Sequence, residues 1–88
     1  MLINFSQIKK LPVYTVSGTY LGKVVDVTLM VEQTAVYEFK VRSRLIGGRI
    51  FLIRPSQVIE ISTKKITVED AILPDPLKAE NAGEAAMG

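Results

Sequence analysis

Leu11-Pro12-Val13-Tyr14-Thr15-Val16-Ser17-Gly18-Thr19-Tyr20-Leu21-Gly22-Lys23-Val24-Val25-Asp26-Val27-Thr28-Leu29-Met30-Val31 reads as two strands joined by a tight turn. Val25, Val27, Leu29 and Val31 recur at every second position with Asp26 and Thr28 between them. That is the period of a strand with one buried face, since successive side chains of extended backbone point to opposite sides. The first strand covers residues 12–16, and Ser17-Gly18-Thr19 supplies the turn. Gly18 fits a positive φ in that turn, and Gly22 fits a bulge or a close backbone approach in a bent strand.

The same period continues outward. Over residues 35–43, Tyr37, Phe39 and Val41 take one face and Glu38, Lys40 and Arg42 the other. Ile50-Phe51-Leu52-Ile53 is apolar on both faces, Ile59 and Ile61 alternate with Glu60 and Ser62, and Ile66 and Val68 with Thr67 and Glu69. Glu32-Gln33-Thr34, Gly47-Gly48 and Thr63-Lys64-Lys65 mark further reversals, while Pro55 ends a strand and Ser56-Gln57 forms a single tight turn. Six short strands with short connections predict an all-β fold with little helix. A small, bent antiparallel meander closed into a barrel is the economical form, because closure removes exposed edges. Ser6-Gln7-Ile8 echoes Ser56-Gln57-Val58, too short a match to establish a repeat.

Residues 1–71 form this barrel domain. Residues 72–88 read as a flexible acidic tail, rich in Ala, Pro and Gly and without a periodic apolar face. Up to residue 70 there are ten Lys and Arg against six Asp and Glu; from 71 onward there is one against three. The opposite signs make the tail a candidate ligand for the domain's own cations.

Composition excludes much chemistry. The 88 residues include no Cys and no His, which removes disulfides, Cys/His zinc sites, cysteine nucleophiles and histidine-based triads. A net charge of +2 does not announce a nucleic-acid partner. No run approaches the roughly eighteen apolar residues of a spanning helix, and Lys9 and Lys10 fall where a signal peptide would be apolar. The expectation is a cytoplasmic protein without membrane insertion.

Gly18-Thr19-Tyr20-Leu21-Gly22-Lys23 is not a phosphate loop. Three residues separate the glycines where four are needed, Val24 stands where Ser or Thr should, and a strand follows instead of a helix. Asp26, alone in an apolar strand, reads as a structural carboxylate bonded to turn amides, those near Gly18 being the nearest candidates. The serines have no partner that would make a nucleophile. Neither a catalytic residue, nor a metal site, nor a cofactor is expected, and the protein is read as no enzyme.

Two surface features carry the functional expectations. Arg42, Arg44, Arg49 and Arg54 cluster around Gly47-Gly48 and form a candidate basic patch. Ile50, Phe51, Leu52 and Ile53 form a candidate self-association interface, being apolar on both faces in a chain expected to be too small to cover both.

Leu11-Pro12-Val13-Tyr14-Thr15, Ser17-Gly18, Leu21-Gly22-Lys23-Val24 and Asp26-Val27, with Ser56-Gln57-Val58-Ile59 and Ile66-Thr67-Val68-Glu69-Asp70 near the close, resemble the PRC-barrel domain family. The resemblance spans roughly residues 11–70. It implies a compact β-barrel whose common theme is protein contact, often self-association, and it marks Pro12, Gly18, Gly22 and Asp26 as fold determinants. The family occurs in the photosynthetic reaction-centre H subunit, at the end of a bacterial ribosome-maturation factor, and as small free-standing prokaryotic proteins. This chain looks like the last kind, having neither the spanning helix nor the preceding barrel of the other two. The reading is therefore a non-enzymatic protein-interaction module, a homodimer. The alternative is an RNA- or ribosome-associated adaptor using the arginines; nucleic acid is not the favoured partner.

Overall fold

A computed structural model of the chain describes residues 1–44 and 47–74. A single helical turn, α1 (Phe5–Ile8), precedes six strands: β1 (Pro12–Thr15), β2 (Tyr20–Met30), β3 (Ala35–Arg42), β4 (Ile50–Ile53), β5 (Val58–Ile61) and β6 (Ile66–Val68). They form one sheet in the order β4-β3-β2-β1-β6-β5. The all-β class and six strands are as the sequence implies. One ladder differs from the expected antiparallel meander: β1 and β6 pair in parallel, Val13 against Ile66 and Thr15 against Val68.

The parallel pair follows from Pro55. The antiparallel ladders β1–β2, β2–β3 and β3–β4 fix the sense of β4, and β1–β6 with β5–β6 give β5 the same sense. The chain does not reverse at Pro55. It kinks through the 3-10 turn Pro55–Gln57 and continues, so β4 and β5 are two halves of one bent strand. Their halves pair with opposite ends of the sheet. Ile53 and Val58 are five residues apart, at most about 18 Å of chain, whereas the edges of a flat six-stranded sheet stand about 24 Å apart. The sheet must curl. The expected full closure is not reached: no ladder joins β4 to β5 among the described residues, and the turn alone spans that seam.

The curl encloses the core. Val13 and Thr15 (β1), Leu21 and Val24 (β2), Phe39 and Val41 (β3), Phe51 and Ile53 (β4) and Ile66 and Val68 (β6) are buried. Burying each of the larger apolar side chains stabilises the fold by about 1.5–3 kcal/mol. Leu11 and Ile72 join the same cluster, with Ile3 and Ile8 packed against it. Ile72 therefore belongs to the folded part, although the composition places the start of the tail there. The rest of the expected tail, from residue 75, lies outside the described residues.

Two bulges interrupt the simple alternation of β2. Val13 pairs with Gly22 and Tyr14 with Tyr20, leaving Leu21 as an extra residue; Val24 pairs with Val41 and Asp26 with Lys40, leaving Val25 extra. The buried set is thereby Leu21 and Val24, followed by half-buried Val27. Leu29 and Val31, expected on the core face, are exposed because the hairpin runs past the core.

The short echo in the sequence has a structural counterpart. Gln7 Oε1 accepts the Asn4 amide at 2.8 Å, and Gln57 Oε1 accepts the Arg54 amide at 2.8 Å. In each turn the Gln backbone amide in return donates to the carbonyl three residues back, at 2.9 Å. A Gln at the third position of a turn satisfies the backbone N–H that opens it, so the same side chain recurs where the same local problem arises.

Gly22 tolerates no side chain. Its φ is +143°, and a Cβ there would lie 2.2 Å from the Arg42 carbonyl oxygen and 2.8 Å from the Ser43 Cα. Those contacts are backbone, so relief requires β2 and β3 to separate. Gly22→Ala is expected to lower stability by about 3 kcal/mol, read by urea unfolding. A change below about 0.5 kcal/mol would show that the two backbones are not held this close.

Candidate functional site

Lys9 and Lys10 follow α1, Lys23 lies on β2, and Arg42 and Arg44 lie at the end of β3 and just beyond it. The fold brings these five cations around one open groove of about 650 Å³, whose walls also include Tyr20, Val24, Val25 and Ser43. No carboxylate among the described residues lines it. Two local causes place the charges. Lys10 has a left-handed backbone, φ +79°, held by the hydrogen bond its amide donates to the Val24 carbonyl at 2.8 Å, and this turns the Lys9-Lys10 corner against β2. Lys23 and Arg42 are direct cross-strand partners. Like charges facing each other across a ladder repel, and an anion between or above them offsets that repulsion.

The four arginines of the expected patch do not stay together. Arg42 and Arg44 line the groove. The guanidinium of Arg54 lies over the Tyr37 ring, 3.9 Å from its centroid, bonds the Tyr37 hydroxyl, and stands 3.6 Å from Glu38. It fastens the Pro55 bend to β3. Arg49 is exposed, and its backbone closes the β3–β4 connection by accepting the Ser43 amide at 2.9 Å and donating to Ser43 Oγ at 2.7 Å. Sequence reasoning misses Lys9, Lys10 and Lys23 because they are remote from the arginines along the chain; the β2–β3 register brings in Lys23, and the hydrogen bond from Lys10 to Val24 brings in the Lys9-Lys10 corner.

The residues expected to form an apolar interface are mostly buried. Ile50, Phe51 and Ile53 are 2%, 6% and 1% exposed, buried within the single chain, and only Leu52 is half-exposed. The fold does cover both faces of β4, so these side chains offer no surface to a partner. Exposed apolar side chains lie instead at the far end of the β2–β3 hairpin, where Leu29 is 60% and Val31 80% exposed. Beyond Val24, β2 has β3 on one side and no strand on the other among the described residues.

Asp26 does not reach the Gly18 turn. It lies at the second bulge, opposite Lys40, and its Oδ1 accepts the Val27 amide at 2.9 Å. The carboxylate that holds the Gly18 turn is Asp70, just past β6: Asp70 Oδ1 accepts the Ser17 amide at 3.0 Å and the Ser17 hydroxyl at 2.9 Å. Thr15, buried, adds its Oγ1 as acceptor for the Thr19 amide at 3.0 Å. Gly18 has φ +97°, and its amide donates to the Thr15 carbonyl at 2.9 Å. Pro12 opens β1 opposite Lys23.

Among the described residues no three of the acidic side chains come together as a metal site would need, and no helix is long and apolar enough to cross a membrane. A curled all-β sheet with a bent closing strand and a Gly18 turn clasped by Asp70 defines a small barrel-like domain. The chain belongs to the PRC-barrel domain family, whose profile matches residues 1–72, and that family is one of non-catalytic domains. A comparison with curated proteins finds no match.

The Ser17 amide, and then the Ser17 hydroxyl, hold the Asp70 carboxyl below its ordinary value of 3.8. A lowered folded-state pKa means stabilisation that is present above the unfolded value and lost as pH falls through the folded one. Asp70→Asn keeps the shape and removes the charge. Its melting temperature is expected to lie below the parent's at neutral pH and to converge with it as the pH falls below 3.8. An equal gap at both ends of a pH series of thermal melts would assign the loss to packing instead.

Proposed function

We propose that this domain is a non-catalytic protein-interaction module that self-associates by pairing the open edge of β2 with a second copy. The observation that carries this is how little protects that edge. Across residues 25–30 of β2 the sole charged side chain is Asp26; there is no Lys and no Pro, and Leu29 is exposed, as is Val31 in the 3-10 turn that follows. Edge strands that stay single are normally protected by lysine, proline or a covering element. An antiparallel pairing of this edge with itself is self-complementary, so a two-fold axis satisfies both copies with one contact. Protein partners other than a second copy would add a strand to the same edge.

The RNA-linked alternative draws on Arg42 and Arg44, which lie in the groove, and no longer on Arg54, which is engaged with Tyr37 and Glu38.

Leu29→Lys and Val31→Lys alter side chains that are already exposed, so the fold should persist in both. Sedimentation equilibrium is expected to show the parent as a dimer and both variants shifted toward monomer by at least tenfold in dissociation constant. A parent that stays monomeric at every concentration, or a dimer indifferent to both lysines, would overturn the assignment.

A further inference from the structure

We infer that the groove between the Lys9-Lys10 corner and the β2–β3 sheet is a binding site for the phosphodiester backbone of single-stranded nucleic acid. It meets the open β2 edge at Val25, which lines the groove, but its cations lie off that edge and it does not depend on self-association. Five of the chain's eleven Lys and Arg residues, Lys9, Lys10, Lys23, Arg42 and Arg44, surround it without a carboxylate among the described residues. The concentration of charge is local, since the chain as a whole carries only +2. A low-dielectric wall on one side, formed by Val24 and the sheet beneath it, focuses that field outward.

Three observations select the ligand. First, Lys23 and Arg42 are direct cross-strand partners, so the ladder places two cations side by side on one face. Second, the five cationic side chains donate hydrogen bonds and accept none. A polypeptide occupant would bring amide donors of its own and find few acceptors on these walls; a phosphodiester backbone brings only acceptors. Third, Tyr20 stands in the wall 47% exposed, with its ring tilted at 52° against Tyr14 at 5.3 Å, so a firmly placed aromatic surface adjoins the cations. Cations along a groove with an aromatic face beside them are the components of single-strand binding, where bases stack and phosphates pair.

Lys10 gives an independent handle. Its left-handed backbone is one that glycine adopts freely and lysine does not, so Lys10→Gly removes the charge while relieving the backbone.

The test is fluorescence anisotropy of a labelled twelve-nucleotide oligouridylate, about 12 residues being ample for one groove, with inorganic polyphosphate and polyglutamate as competitors. Binding is expected to weaken with salt at a log–log slope of about −3.5, the value for five phosphates on a single strand. Lys23→Glu and Arg44→Glu should each weaken it about tenfold and flatten the slope. Lys10→Gly should weaken it while leaving the melting temperature equal or higher. Tyr20→Leu should weaken the oligonucleotide but not polyphosphate. No binding at about 50 mM salt, a slope unaltered by the charge reversals, or displacement by polyglutamate at lower concentrations than by polyphosphate would overturn the inference, the last pointing to an acidic protein. Variants that retain the dimer mass keep this outcome distinct from failure of the self-association reading.

Discussion

The bend at Pro55 sets the geometry of everything else. Because β4 and β5 are one strand continued through four residues, the two ends of the sheet are tethered at a distance shorter than a flat sheet allows. Curling follows, and with it an inside in which a 9.7 kDa chain can bury side chains from most of its strands. The same bend fixes the sense of β5 and β6 and therefore makes β6 a parallel neighbour of β1. Arg54, stacked on Tyr37 and facing Glu38, holds the bend against β3. A surface pair of this kind contributes only about 1 kcal/mol, so the tether rests chiefly on Ile53, buried, and Val58, half-buried against the core, on either side of it.

Much of this is legible from residue order. Alternation locates the strands, and Gly18 and Gly22 read correctly as a positive-φ turn and a close approach, because both depend on local backbone sterics. What cannot be read are properties of pairing. The parallel β1–β6 ladder depends on whether the chain reverses or merely kinks at Pro55, and a proline followed by Ser-Gln is compatible with both. The phase change in β2 comes from two bulges whose extra residues, Leu21 and Val25, look like ordinary strand members in sequence.

The site shows the same division. Arg42 and Arg44 are visible as a cluster, but a one-dimensional cluster also sweeps in Arg54, which turns away, and leaves out Lys9, Lys10 and Lys23, which join them around the groove. The apolar run Ile50–Ile53 looks like surplus when covering residues are counted along the chain; the curled sheet covers both of its faces. Proximity in sequence favours Asp26 over Asp70 for the Gly18 turn, whereas the parallel ladder delivers Asp70 to Ser17 from 53 residues away.

That distance has a consequence for how the chain acquires its structure. The clasp between Ser17 and Asp70 and the ladder between β1 and β6 join the early part of the barrel to its last strand. During synthesis, β1 to β4 can form a meander from neighbouring segments, but β1 keeps an open flank until β6 has emerged. Non-local pairings of this kind bear the loop-closure cost before they return any stabilisation, which slows folding relative to helical chains of equal length. Until β6 emerges the nascent chain therefore presents the flank of β1 as well as the far half of β2, and of these two only the flank of β1 is covered when folding is complete.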